Sequence, residues 1–124
     1  MFSLFRHTPV YVKIYPNELA ITNLKTGETI RRQASEPFSN SNMLVANFGI
    51  AEGLAREIIK ELRLTRRSLK TIVQQMQVFE DVLAESEKRI LRDLCEQIGS
   101  AVVFVITNEQ ELSNDEALHV LNEN

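Results

Sequence analysis

At 124 residues the chain is long enough for one domain, and its 44% hydrophobic and 25% charged residues are ordinary for a globular protein. The net charge of −3 argues against general nucleic-acid binding, which needs a basic surface. The single cysteine excludes an intrachain disulfide, and no apolar run approaches the roughly 18 residues of a membrane-spanning helix. We therefore expect a cytoplasmic protein.

The first three predicted elements are short strands in which apolar and polar residues alternate. They are Val10–Tyr15, Glu18–Leu24 and Glu28–Ala34. Only a few residues separate them: Asn17 follows a proline and tolerates a tight turn, and Gly27 is free to take a positive φ. Sequential strands joined by tight turns predict an antiparallel meander.

Helices and strands alternate along the rest of the chain. The pattern predicts helices over Ile50–Leu64, Glu85–Ile98 and Ser113–Leu121, and strands over Lys70–Val78 and Ala101–Thr107. Strands separated by helices favour parallel pairing. The order β-β-β-α-β-α-β-α is that of an actin/RNase H-like half-fold, an α/β fold with a mixed five-stranded sheet and three helices. We expect a leader over residues 1–8 and this single domain over residues 9–124.

Four residues have specific predicted roles in these elements. Cys95 lies on the apolar face of its helix and is interpreted as a core residue. Gly99 is well placed to end that helix. Ser113 and Glu116 have the spacing of a capping box, which predicts the start of the last helix.

A local basic cluster follows the first predicted helix. It consists of Arg66, Arg67 and Lys70. Cations near a helix C-terminus complement the helix dipole, so we interpret the cluster as a solvated helix end.

Three segments resemble the bacterial actin MreB, in subdomain IA of that family. They are Asn42–Leu62, Glu87–Cys95 and Gly99–Ile106. The first resembles the start of the first helix of the family's first domain, the second its next helix, and the third the strand that follows. The resemblance implies an actin-like fold and raises the question of nucleotide binding.

The first hairpin departs from the actin-like pattern. Actin-like ATPases carry a glycine-containing phosphate loop there, because glycine lets backbone N–H groups approach a phosphate. Here the hairpin reads Ile14-Tyr15-Pro16-Asn17-Glu18, with no glycine and with a proline that removes a donor. Glu87 falls where the family keeps its water-orienting glutamate, but we identify no second phosphate loop. We expect a protein that is not an enzyme and takes no nucleotide, cofactor or metal.

Binding to another protein is the predicted function. The expected partner is a second copy of the chain or a filament-forming bacterial actin of the cell-shape machinery. The polar side chains Gln74, Gln75 and Gln77 predict that their strand forms an exposed sheet edge and contacts the partner.

The leader contains Phe2, Leu4, Phe5 and Arg6. It resembles the short amphipathic leader by which some MreB proteins touch the membrane, which implies a weak peripheral contact with the inner membrane. The alternative is that its apolar side chains pack on the domain or fray.

Two further function classes stay open. One is a small signalling module similar to anti-sigma-factor antagonists, in which Ser86 or Ser100 is the phosphorylatable serine at a strand–helix junction. The other is a degenerate nuclease, suggested by the acidic cluster Glu80, Asp81 and Glu85. Such nucleases need an aspartate on the first strand, where this chain has Lys13, so the nuclease is the weaker alternative.

Overall fold

The chain folds into a five-stranded mixed sheet with helices on both faces, in a computed structural model that describes residues 7–77, 85–107 and 110–123. In chain order the elements are β1 (Thr8–Tyr15), β2 (Glu18–Asn23), β3 (Glu28–Gln33), α1 (Phe48–Glu61), β4 (Leu69–Gln75), α2 (Glu85–Gln97), β5 (Ser100–Ile106) and α3 (Asn114–Glu123). The predicted element order and the α/β fold class are confirmed. The predicted bounds are correct to within a few residues at each end.

The first three strands form the predicted antiparallel meander. Asn17 adopts a φ of 56° in the first turn, and Gly27 a φ of 82° in the second. The second turn is closed by Asn23, whose backbone carbonyl accepts from the Gly27 N–H at 2.7 Å. The first turn, at Asn17, sets the register between β1 and β2, in which Val12 lies opposite Ile21.

The remaining two strands extend the sheet by parallel pairing. β4 pairs with β1 and β5 pairs with β4, so the strand order is β3-β2-β1-β4-β5. The edges of the sheet are thus β3 and β5. The prediction that the strand of Gln74 and Gln75 forms an edge is wrong, because β4 lies between β1 and β5 and both of its sides are hydrogen-bonded.

The larger core lies between the sheet and the helices α1 and α2. Alternate residues of β1, among them Val12 and Ile14, share this core with Ile58 of α1 and with Leu94 and Cys95 of α2. Cys95 is fully buried, as predicted, and burial raises the pKa of its thiol to about 12. The thiol therefore acts as a small apolar group.

The smaller core lies on the opposite face of the sheet, under α3. Tyr11 of β1 and Ile72 of β4 pack there with Ala117 and Leu121 of α3. The predicted capping box starts this helix: the Glu116 N–H donates to Ser113 Oγ at 3.1 Å, and the Ser113 N–H donates to a Glu116 carboxylate oxygen at 2.8 Å. Local capping thus fixes the point at which the chain turns back over the sheet.

Two helices end with a residue at positive φ. Gly99 follows α2 with a φ of 111°, which confirms its predicted role. Arg63 follows α1 with a φ of 62°, and its N–H and that of Leu64 donate to the carbonyls of Lys60 and Ile59. This is a Schellman motif with arginine at the position that glycine usually occupies.

Candidate protein interaction site

The three glutamines predicted to contact a partner lie in or next to the interior strand β4. Gln74 and Gln75 are 0% and 2% exposed. Gln74 accepts a hydrogen bond from the Tyr11 hydroxyl and donates from Nε2 to the Gln110 carbonyl at 2.7 Å. Gln75 donates to the Gln77 carbonyl at 3.0 Å. The two buried amides hold neighbouring chain segments in place, whereas Gln77 is exposed beyond the strand end. A partner contact by these residues stays a prediction.

The turn between β1 and β2 contains Pro16 and Asn17. Asn17 Oδ1 accepts from the N–H groups of Phe38 (2.9 Å) and Ser39 (2.7 Å), and the Asn17 N–H donates to Ser39 Oγ at 2.9 Å. Phe38 is buried in the larger core. The polar groups of this turn are therefore bonded to the chain segment after β3.

The outer strand β3 is a charged edge. Its Arg31 donates to the carboxylate of Glu18 at 2.8 Å and lies over the ring of Tyr15 at 4.1 Å. Its Arg32 forms ion pairs with Glu57 and Glu61 of α1. Charged side chains on an edge strand discourage pairing with another strand, so β3 is a protected edge.

The outer strand β5, in contrast to β3, is an uncharged edge. Its sequence, SAVVFVI, contains no charged residue and no proline. Each residue from Val102 to Ile106 is partly exposed, although α2 covers one face of the strand and Phe104 and Ile106 contact the core under α3. Among the described residues, no backbone hydrogen bond joins β5 to any strand except β4. This uncharged, unpaired strand side, hereafter the β5 edge, is the candidate interaction site.

The apolar composition of β5 does not by itself identify an edge strand. An apolar run such as Val102–Ile106 is typical of a strand covered on both faces; α2 covers one face of β5, and Phe104 and Ile106 contact the core under α3 on the other. The run does not reveal whether a further strand lies beside it. The absence of Lys, Glu and Pro was the usable signal, because most edges carry them.

The serines of the signalling alternative lie in different environments. Ser100 is 8% exposed, and its hydroxyl is 2.6 Å from that of Thr71, so it is hardly accessible. Ser86 is exposed in the first turn of α2. Next to it, Lys88 donates to Glu85 at 2.8 Å and holds the pKa of that carboxyl below its ordinary value. Glu87 is half-buried in the same turn.

Several predicted residues lie outside the described parts of the chain. They are the leader residues Phe2, Leu4, Phe5 and Arg6, and the acidic pair Glu80 and Asp81. Within the described ranges, no three His, Cys, Asp or Glu side chains are close enough to hold a metal ion. None of the helices described above is long and apolar enough to cross a membrane.

Comparison with known proteins does not assign the chain to a family. No protein-family model matches the chain. The chain is similar to the uncharacterized protein YjaA of Escherichia coli (strain K12), with 25% identity over 93 residues that make up 68% of this chain and 72% of that protein. Identity at this level carries no function across, so the functional argument rests on the geometry of the sheet.

Proposed function

We propose that the protein is a non-catalytic, actin-like interaction module that binds a second copy of itself or a filament-forming bacterial actin of the MreB type. The observation that carries the proposal is the β5 edge: a seven-residue strand without charge or proline, with one side unpaired among the described residues. A strand of a partner can add to such an edge through main-chain hydrogen bonds.

The two edges of the sheet differ in how well they could accept a partner strand. β3 carries the charged side chains of Arg31 and Arg32, which disfavour the addition of another strand. β5 has no such side chains, and its partly exposed valines and Phe104 would gain buried apolar area on pairing. A partner strand is therefore expected at β5 and not at β3.

The hairpin between β1 and β2 supports the non-catalytic part of the proposal. A nucleotide phosphate needs free N–H donors at this turn, whereas the donor of Asn17 is bonded to Ser39 and its side-chain carbonyl to Phe38 and Ser39. We place the module in the cytoplasm at the inner membrane, which the apolar leader residues Phe2, Leu4 and Phe5 support.

The test is size-exclusion chromatography with light scattering, on the chain alone and with a co-expressed MreB-type actin, with and without MgATP. We expect a dimer or a co-eluting complex that does not depend on ATP. The double variant Ala101→Lys/Thr107→Lys adds charge at two exposed positions, one at each end of β5, without entering either core, and it is expected to abolish association.

The matched control adds two charges at the other edge. Gln33 and Ser35 are exposed at and just beyond the end of β3, so Gln33→Lys/Ser35→Lys should associate like the wild type. A wild-type chain that stays monomeric and ignores the actin would overturn the proposal. So would association that survives the β5 variant.

A regulatory module is the second candidate, and the exposure of Ser86 favours it. A phosphate on Ser86 would lie at the N-terminal end of α2, where negative charge is stabilised. If the protein is a phosphorylation-controlled switch, Ser86→Asp should change its association and Ser86→Ala should not. If both variants associate equally, phosphorylation of Ser86 does not control association, and the regulatory candidate is wrong.

A further inference from the structure

Two shallow clefts lie at the end of the sheet where β1, β4 and β5 begin, on either side of the loop over residues 62–68. One has a volume of about 380 Å³ and the other about 270 Å³. Each is lined by three cationic side chains: Arg56, Lys60 and Arg66 in the larger, and Lys25, Arg63 and Arg67 in the smaller. We call them the cationic clefts.

The charge of the cationic clefts is not balanced by acidic neighbours. No carboxylate lines either cleft, whereas two other clefts on the surface mix both signs, one with Arg32, Glu36 and Glu57 and one with Glu85, Arg89 and Arg92. Of the six lining cations, only Arg56 forms an ion pair with a carboxylate of the described residues, that of Glu52. Positive charge is thus concentrated at one end of a chain with a net charge of −3.

The helix dipole accounts for part of this concentration, because the larger cleft lies beside the C-terminal end of α2 at Gln97, but it does not account for the smaller cleft. Lys60 is the one basic residue in the last turn of α1, and the last turns of α2 and α3 contain none. The dipole effect falls off within that turn, so it gives no reason for the arginines that follow in the loop. The interpretation of Arg66 and Arg67 as a solvated helix end is therefore incomplete.

The backbone gives independent evidence that these arginines are unusual. Arg63 and Arg66 have φ values of 62° and 72°, in the left-handed region that favours glycine. Two arginines at such positions within four residues reduce the stability of the loop, and strained backbone of this kind clusters at binding sites. Arg63 lines the smaller cleft and Arg66 lines the larger one.

We propose that each cationic cleft binds a phosphate group of a phosphorylated ligand. Guanidinium groups present paired N–H donors that match phosphate oxygens. The smaller cleft has two guanidinium groups and one ammonium group; the larger has Arg66, Lys60 and the guanidinium of Arg56, which already donates to Glu52 and Gln97. No aromatic side chain lines either cleft, so stacking of nucleic-acid bases is not provided for. The inference does not depend on the β5 edge.

The experiment titrates sodium tripolyphosphate into the ¹⁵N-labelled protein at low ionic strength and follows the backbone amides by NMR. We expect the largest shifts at the amides around both clefts, including those of Thr26, Arg66 and Gly99, and weaker binding at high salt. Arg63→Gly/Arg66→Gly removes one arginine from each cleft and should lower the affinity roughly a hundredfold, about tenfold for each charge-assisted hydrogen bond that is lost. Glycine suits both positive φ values, so this variant is expected to stay folded.

Two further variants separate the proposal from a general charge effect. Arg63→Lys/Arg66→Lys keeps the charge but not the paired N–H donors, so it should bind more weakly than the wild type and more tightly than the glycine variant. Arg89→Gln/Arg92→Gln removes two charges from a different cleft and should bind like the wild type. The proposal is overturned if tripolyphosphate shifts neither cleft, if the glycine variant binds as well as the wild type, or if the Arg89/Arg92 control loses as much affinity.

Vesicles distinguish the two sources of such phosphates. Cosedimentation is measured with phosphatidylglycerol vesicles and with neutral phosphatidylcholine vesicles. Binding to the anionic vesicles that the glycine variant loses would assign the clefts to lipid headgroups. Binding of tripolyphosphate without vesicle binding would assign them to a soluble ligand.

Discussion

The hydroxyl of Tyr11 donates a hydrogen bond to the side-chain carbonyl of Gln74, and the two buried residues lie 63 positions apart on the neighbouring parallel strands β1 and β4. The same hydroxyl accepts from the Leu112 N–H at 3.1 Å, and Gln74 Nε2 donates to the Gln110 carbonyl at 2.7 Å. This network ties the segment before α3 to the middle of the sheet.

Replacing Tyr11 by phenylalanine should therefore lower the free energy of unfolding by about 1–3 kcal/mol, because the Leu112 N–H and the Gln74 carbonyl both lose a partner. Urea denaturation measures the change. Tyr15 is the matched control: it lies half-buried on the same strand, so Tyr15→Phe should change stability by less than about 0.5 kcal/mol. Equal effects of the two substitutions would show that the network contributes nothing specific.

The same residue predicts a dependence of stability on alkaline pH. Burial raises the pKa of Tyr11 above its ordinary value of 10.0, so the folded state favours the neutral phenol. This contribution is fully present below the ordinary pKa and is lost as the pH rises through the raised one. We expect the wild type to lose more stability than Tyr11→Phe between about pH 9 and pH 11 in denaturation series at each pH. Parallel curves for the two proteins would contradict the assignment.

The two glycines Gly99 and Gly53 should respond oppositely to alanine. Gly99 has a φ of 111°, and a Cβ there would lie 3.2 Å from the Arg67 carbonyl oxygen, so Gly99→Ala should destabilise the protein by about 1–2 kcal/mol. Gly53 lies inside α1 with open space around it, so Gly53→Ala should stabilise by about 0.5–1 kcal/mol. Thermal and urea denaturation of both variants measures the two changes. If both substitutions change the stability in the same direction, the prediction is wrong.

The Schellman motif after α1 predicts a stabilising substitution. Arg63 occupies the left-handed position, so Arg63→Gly should raise the free energy of unfolding by about 0.5–1 kcal/mol. Arg56→Gly is the comparison. Because Arg56 lies inside α1, this substitution should lower the free energy of unfolding by about 1 kcal/mol. A loss of stability at both positions would mean that the Arg63 side chain makes a stabilising contact of its own.

Cys95 should be unreactive in the folded protein. Its side chain is fully buried and its thiol pKa is raised to about 12 by burial, so few thiolates form and none is exposed. We expect a disulfide reagent such as DTNB to label it at the rate of global unfolding. Labelling that is fast in buffer and unchanged by urea would contradict this.

Local signals in the sequence were sufficient for the elements and their caps. The alternation of Val10, Val12 and Ile14 gave β1, and the pair Ser113 and Glu116 gave the start of α3, since each depends on residues within a few positions. The first helix was predicted to run to Leu64, but it ends at Glu61. Leu62 and Leu64 are buried through the Schellman motif and not through a continuing helix, and an apolar pattern does not distinguish the two.

Such local signals do not determine the strand order. Gln74 and Gln75 suggested an edge because polar side chains are usually solvated, yet the partners of Gln74 are Tyr11 and Gln110, both far away in sequence. The positions of both edges depend on which strands pair across helices. The candidate site at β5 follows from that long-range pairing, whereas the site predicted from the sequence lies on the neighbouring strand β4.

The sheet is built outward from a strand near the start of the described chain. During synthesis, β1 can pair with β2 at once, whereas its pairing with β4 waits for α1 and the addition of β5 waits for α2. Until β5 has added to the sheet, β4 presents an unpaired side as a temporary open edge. During that interval the β5 strand of a second chain can take the same place, so the order of strand addition bears on whether two copies exchange strands.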